Sequence, residues 1–249
     1  LFSWFSKMPS IQIENIEVSG NLTVSKDEII NLIRTETSAK YFRLFSKNSV
    51  FLYPKESIEA KLADDFKRIE TVSIKFKGLK TLIINMVERK PNSLWCFSGV
   101  EDGIARKNNN SGMCYFLDKG GLVFSEAPDF SGTAFLRYYG LLDGIEQPIG
   151  GNYMTSEKFR EVSRFVGSLE ILGIKVATFR AESESDYEID LKNGIKILFD
   201  DKQPFDKTLE NIQSILSEVD LKKEYPLNNP SNINYVDLRF GNKVFFKSE

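Results

Sequence analysis

The sequence predicts an α+β protein made of two modules: a βααββ unit over residues 11–90, and a mixed β-domain over residues 91–249 with a long packed helix and a terminal hairpin. Three observations predict it. A strand-like run from Ile11 to Val18 precedes two amphipathic helical segments and two alternating strands, Glu70–Phe76 and Thr81–Glu88. The triplet Pro91-Asn92-Ser93 then punctuates the chain and sets the boundary. Beyond it, short strands bounded by Gly and Asn turns surround a helical segment between Thr155 and Leu172.

Each element has a local reason. Ile11, Ile13, Ile16 and Val18 suit a strand, but the spacing breaks between 13 and 16 and predicts a bulge or a register change. Gly20-Asn21 is a turn signal. Ser25 and Glu28 form a capping box ahead of Ile29, Ile30, Leu32 and Ile33, on a helix ending near Arg34. Pro54 suits the first turn of a second helix, which carries Ile58, Leu62 and Phe66 at four-residue spacing. Val72, Ile74 and Phe76 alternate on one strand and Leu82, Ile84 and Met86 on the next, joined at Gly78.

In the second module, Leu94–Phe97 and Met113–Phe116 read as strands around a Gly- and Asn-rich loop, and Asp118–Gly121 as a glycine turn. The stretch Ala127–Gly151 reads as irregular, with a strand around Thr133–Tyr138. Phe159, Val162, Phe165, Val166, Leu169 and Leu172 line one side of the helix that Gly173 ends. Strands at Lys175–Phe179, Tyr187–Leu191 and Ile195–Phe199 follow, the last two joined by Asn193-Gly194. A helix from Asp206 to about Glu218 turns Leu209, Ile212, Ile215 and Leu216 inward. The final hairpin pairs Asn234–Phe240 with Lys243–Phe246 around Gly241-Asn242.

Composition narrows the chemistry. The 33 basic and 35 acidic residues nearly cancel, and no concentrated basic footprint for nucleic acid stands out. There is no histidine, which excludes Ser-His-Asp and Cys-His nucleophile activation and mixed His metal sites. Asp64-Asp65, Asp200-Asp201 and Glu182–Glu188 read as solvated acidic clusters without calcium-loop spacing. No cofactor or metal is expected, and no catalytic residue is assigned. No run of 18 or more apolar residues is present. Residues 1–10, opening Leu1-Phe-Ser-Trp-Phe5, read either as the outer end of a preceding transmembrane helix or as a disordered terminus.

Two constellations are candidates for a role. Cys96 and Cys114 fall in the two strands of one predicted hairpin, which suits a cross-strand disulfide; two free buried thiols are the alternative. At the terminal hairpin, Tyr235, Asp237 and Arg239 fall on one face and Val236, Leu238 and Phe240 on the other. Val244, Phe245 and Phe246 in a row leave one large aromatic that cannot share the core face. Such a strand suits β-augmentation by a partner segment, or else it merely completes the sheet.

Several motifs occur together in order. Val18-x-Gly20-Asn21 with the Ser25 helix start resembles a POTRA domain. Thr81–Ile84 followed by Val87-Glu88-Arg89-Lys90-Pro91 is similar to the segment that closes this domain in the FtsQ/DivIB bacterial cell-division family. Tyr115–Phe124 resembles that family's aromatic–aspartate–glycine hairpin, and Tyr235-Val-Asp237-Leu-Arg239-Phe240 its Asp-Leu-Arg-aromatic strand. Departures are Gly78-Leu79-Lys80, where the family usually has proline, the cysteine pair, and the Asn108–Ser111 loop.

The resemblance implies a POTRA domain at 11–90, an FtsQ-type β-domain at 91–249, and a divisome scaffold without catalysis. It implies a single upstream transmembrane helix, with these residues on the extracytoplasmic side of the cell membrane. It also implies FtsB- and FtsL-type partners that help assemble the septal peptidoglycan machinery. The partner-binding role then passes to Tyr235, Asp237, Arg239, Phe240, Val244, Phe245 and Phe246. The rival reading is a POTRA component of protein translocation or outer-membrane assembly; a Ser-Lys peptidoglycan enzyme is a weaker one.

Overall fold

Ser25 accepts a hydrogen bond from the Glu28 N–H at 3.4 Å, and the helix it starts, α1 (Lys26–Ser38), buries Ile29 and Ile33 completely. The computed structural model describes residues 8–41, 45–97, 112–129, 134–140, 142, 147–215, 233–241 and 243–248. Residues 98–111 of the expected Gly- and Asn-rich loop lie outside these residues, as do Leu1–Phe5, Thr133, Leu216, Glu218 and Asn242. The chain divides into two compact units, Leu1–Lys90 and Pro91–Glu249.

In the first unit, β1 (Asn15–Ser19) pairs in parallel with β5 (Thr81–Glu88), which pairs antiparallel with β4 (Ile69–Lys77). A two-residue pair, β2 (Lys40–Tyr41) and β3 (Phe45–Ser46), follows α1. The second helix, α2 (Lys55–Asp65), is preceded by Pro54 as its N-cap instead of carrying it as its first residue. Ile58 and Leu62 on α2 meet α1 and the buried faces of Ile74, Leu82 and Ile84. Glu36 holds the two helices together at their surface, accepting from Lys61 at 2.7 Å and from Ser57 at 3.1 Å.

Two expectations change here. The strand begins only at Asn15, because Pro9–Ile11 forms a 3₁₀ turn and Ile11 and Ile13 bond to the 48–50 backbone, away from β5. Helix α1 runs a turn past Arg34, since the Thr35, Thr37 and Ser38 hydroxyls donate to carbonyls three or four residues back, and satisfy themselves within the helix. Gly20 could be no other residue: its φ is +83°, and a Cβ there would fall 1.9 Å from the Met86 carbonyl oxygen.

In the second unit, one nine-stranded mixed sheet carries everything. Its strands are β6 (Ser93–Cys96), β7 (Cys114–Leu117), β8 (Val123–Glu126), β9 (Arg137–Gly140), β10 (Val176–Ala181), β11 (Asp186–Leu191), β12 (Lys196–Asp200), β13 (Ile233–Phe240) and β14 (Lys243–Ser248). They lie in the order β14-β13-β12-β11-β10-β9-β6-β7-β8. Two helices, α3 (Ser156–Ile171) and α4 (Phe205–Ile215), supply Phe159, Val162, Phe165 and Ile212 to a core shared with Tyr138, Phe179 and Phe199 of the sheet.

The strand expected around Thr133–Tyr138 forms later, at Arg137–Gly140, where parallel pairing with β6 and β10 is available. Asp118 closes the β7–β8 turn by accepting from the Gly120 and Leu122 N–H groups. Thr155 caps α3 through Lys158 N–H at 3.3 Å. Thr155→Ala should therefore lower the stability of this unit by about 1 kcal/mol, read as a shifted denaturant midpoint at unchanged slope.

Candidate functional site

The sheet order makes β14 an edge strand, bonded to β13 on one side only among the described residues. Its partner is held firmly: β13 pairs in parallel with β12, and Val236 and Leu238 are buried to 1% exposure or less. The Asn211 amide on α4 donates to the Gly241 carbonyl at 3.1 Å and fixes the hairpin turn.

Register decides which side chains emerge. Asp237 faces Phe245 across the ladder, yet Phe240 faces Lys243, so β13 carries one residue more than β14 between those pairs. This is a β-bulge. The plain alternation put Phe240 beside Val236 and Leu238 on the core face; the bulge turns it out, and it is 57% exposed. Its ring meets that of Phe245 edge-on, with centroids 4.9 Å apart. Phe245 is 49% exposed, and Phe246, opposite Val236, is 39% exposed at the rim.

The remaining hairpin residues have other positions. Val244 packs against the core. Asp237 is buried, with both carboxylate oxygens engaged by Arg239: Nε to Oδ1 at 2.9 Å and Nη2 to Oδ2 at 2.6 Å. The Arg239 backbone N–H also donates to Oδ1. Burial pushes the Asp237 carboxyl up, but the Arg239 hydrogen bonds and charge outweigh it and hold the carboxyl below its ordinary value. The Asp-Leu-Arg motif thus ties the bulge locally through Asp237, and it leaves Arg239 exposed. Tyr235 is half-buried on the same face. The site therefore gathers Phe240, Phe245, Phe246 and Arg239 around a strand edge. Asp237 and Val244 support it from beneath.

Cys96 and Cys114 face each other in the β6–β7 ladder and are joined as a disulfide. Five strands separate β6 from β14, so the disulfide is no part of the hairpin site. A depression of about 190 Å³ beside it is lined by Leu94, Arg137 and Tyr139. Among the described residues, no group of three or more His, Cys, Asp or Glu side chains is placed to hold a metal ion. No helix among them is long and apolar enough to cross a membrane.

Sequence reasoning missed one structural anchor. Glu88 on β5 is buried, and its Oε1 accepts from the N–H groups of Leu22, Thr23 and Val24 at 2.6, 2.8 and 2.9 Å. The signal was a carboxylate at a position where the strand alternation called for an apolar residue.

Residues 11–89 match the family model for the POTRA domain, FtsQ-type. No curated protein matches the chain.

Proposed function

We propose, from the match of residues 11–89 to an FtsQ-type POTRA domain, that this chain is a member of the FtsQ/DivIB family of bacterial cell division and that its second unit is a docking platform for membrane-anchored divisome proteins. An FtsQ-type POTRA domain is the mark of a non-catalytic, membrane-anchored cell-division scaffold family. In this reading residues 91–249 are the FtsQ-type β-domain, and one upstream transmembrane helix anchors the chain with both units outside the cytoplasm. The partners are of the FtsB and FtsL type, and the complex helps assemble the septal peptidoglycan machinery.

The observation that carries this reading is the aromatic edge strand. The outer edge of β14 offers backbone donors and acceptors to an added strand. Phe240 and Phe245 form an apolar step on one face of that edge, and Phe246 flanks the other. A partner strand would gain main-chain hydrogen bonds along β14 and bury its alternate apolar side chains on this step. Arg239, charge-balanced by Asp237, would sit at the rim of this contact.

The test is a titration of the purified chain against FtsB–FtsL ectodomains from the same genome. Phe240→Ala and Phe245→Glu should each weaken binding about 30-fold, the loss expected for a central aromatic anchor worth about 2 kcal/mol. Their circular dichroism should match the unmodified chain, since both side chains are exposed. Equal affinity of all three proteins would remove the hairpin from the interface. No binding up to roughly 100 µM would remove the partner assignment.

A further inference from the structure

The two helices of the first unit leave an open groove between them, with a volume of about 440 Å³. Its floor is apolar. Leu32 on α1 and Phe66, just past α2, line it, and both are half-buried against the core of the unit. Its walls are charged. Glu36 on α1 accepts from Lys61 on α2 at 2.7 Å, and Lys47 adds its charge near Glu36. Lys61 is the sole cation among the described residues that line the groove. Glu28, two turns before Glu36 on α1, and Asp65, one turn after Lys61 on α2, line the same groove.

These last two carboxylates are left over. Among the described residues neither forms an ion pair, because Glu36 takes the Lys61 ammonium. The Glu28 N–H donates to Ser25 at 3.4 Å, but no bond returns from the Ser25 N–H to the Glu28 carboxylate, so the capping box is half made. Asp65 is the final residue of α2, and the last turn of that helix holds no basic residue. A carboxylate there faces the negative end of the helix dipole. Lys67, two residues on, pairs with Asp64 at 2.6 Å. The two helices together carry seven acidic and four basic residues, whereas residues 11–90 as a whole carry eleven and fourteen. Acid is therefore concentrated on the helix layer, and no described side chain of the groove balances Glu28 and Asp65.

We propose that this groove docks a basic, apolar segment of a partner protein. An arginine or lysine of that segment lies between Glu28 and Asp65, against the carbonyl end of α2, and supplies the cation that the helix lacks. A neighbouring side chain of leucine or phenylalanine size covers Leu32 and Phe66. The cation's hydrocarbon stem can rest on the same apolar floor while its head reaches the carboxylates. Charge selects the occupant. An acidic segment would meet Glu28, Glu36 and Asp65 together, and a purely apolar one would leave Glu28 and Asp65 unbalanced and partly desolvated. The groove belongs to the first unit, so it is a surface separate from the β13–β14 hairpin and does not depend on the function proposed above.

The test is nuclear magnetic resonance of the full, isotope-labelled chain, titrated with a blocked tetrapeptide of alternating leucine and arginine. Shifts should centre on the amides of Leu32, Thr35 and Phe66 and reach half-saturation at roughly 1 mM, the weak range suited to so small a contact. Glu28→Gln/Asp65→Asn removes two exposed charge contacts and should raise that concentration about fivefold. Both side chains are exposed, so the spectrum of the variant should otherwise match that of the unmodified chain. A peptide with glycine in place of leucine should bind roughly threefold more weakly, having lost its apolar contact. One with glutamate in place of arginine should give no saturable shift. Shifts centred on another surface, an unchanged half-saturation in the double variant, or equal binding of the glycine or glutamate peptide overturns the proposal. Phe240→Ala should leave the titration as it is, so failure here and failure of the divisome titration are distinguishable.

Discussion

Glu88→Ala is expected to destabilise the first unit by about 3 kcal/mol, the range for a charged acceptor whose loss strands buried donors. Three consecutive N–H groups at Leu22, Thr23 and Val24 converge on one oxygen of this carboxylate. Removing it leaves Val24 N–H, which is buried, with no acceptor, and it detaches the loop between β1 and α1 from β5. Hydrogen exchange read by mass spectrometry checks this. Amides from 20 to 30 and along β5 should exchange about 100-fold faster, the equivalent of nearly 3 kcal/mol, while peptides from β10 to β12 keep their protection. Unchanged exchange at Val24 would show that the carboxylate does not anchor the loop.

The same residue gives this unit a pH dependence of definite sign. Burial pushes the Glu88 carboxyl up, but the three backbone donors outweigh that and hold its pKa below the ordinary value of 4.5. As pH falls, the unfolded chain therefore takes up the proton first. The Glu88 contribution is present in full above the unfolded value of 4.5, declines as pH falls through it, and is gone below the lowered folded value. Glu88→Gln keeps an acceptor oxygen without the charge. It should recover part of the lost stability at neutral pH and flatten the acid limb, a pattern Glu88→Ala shares only in its flatness.

Tyr153→Ala should cost the second unit about 4 kcal/mol, as for truncation of a large buried ring. Tyr153 is 2% exposed, with its ring edge-on to Tyr138 at 5.4 Å. Its hydroxyl donates to the Tyr139 carbonyl at 2.8 Å and accepts from the Ala181 N–H at 3.2 Å, so it stitches β9 to β10 where their ladder ends. Tyr153→Phe separates the two contributions. It keeps the ring, strands both backbone groups, and should cost about 2 kcal/mol. Chemical denaturation followed by near-ultraviolet circular dichroism reports both, and equal losses for Ala and Phe would assign the whole effect to the hydroxyl.

How far the sequence reaches depends on how local each cause is. The Ser25 and Thr155 caps, the Asn193-Gly194 turn and the alternation of Leu82, Ile84 and Met86 need only neighbours along the chain, and the α+β class follows from them. Errors cluster where a distant partner decides. Ile11 looked like strand, yet its carbonyl bonds Val50. Glu88 falls on the inward side of the strand alternation with no local partner to explain it, and its three donors lie more than sixty residues away.

The candidate site divides the same way. The aromatic content of β13 and β14, the hairpin between them and the impossibility of burying both Phe245 and Phe246 on one face are properties of the sequence itself, because side chains alternate along any strand. That β14 is an edge, and that Phe240 leaves the core face, are tertiary facts. The first follows from parallel pairing of β13 with β12, and the second from one extra residue in register against β14. Pairing order and register are set by long-range burial of Val236 and Leu238 against the helices. No local pattern encodes that energy.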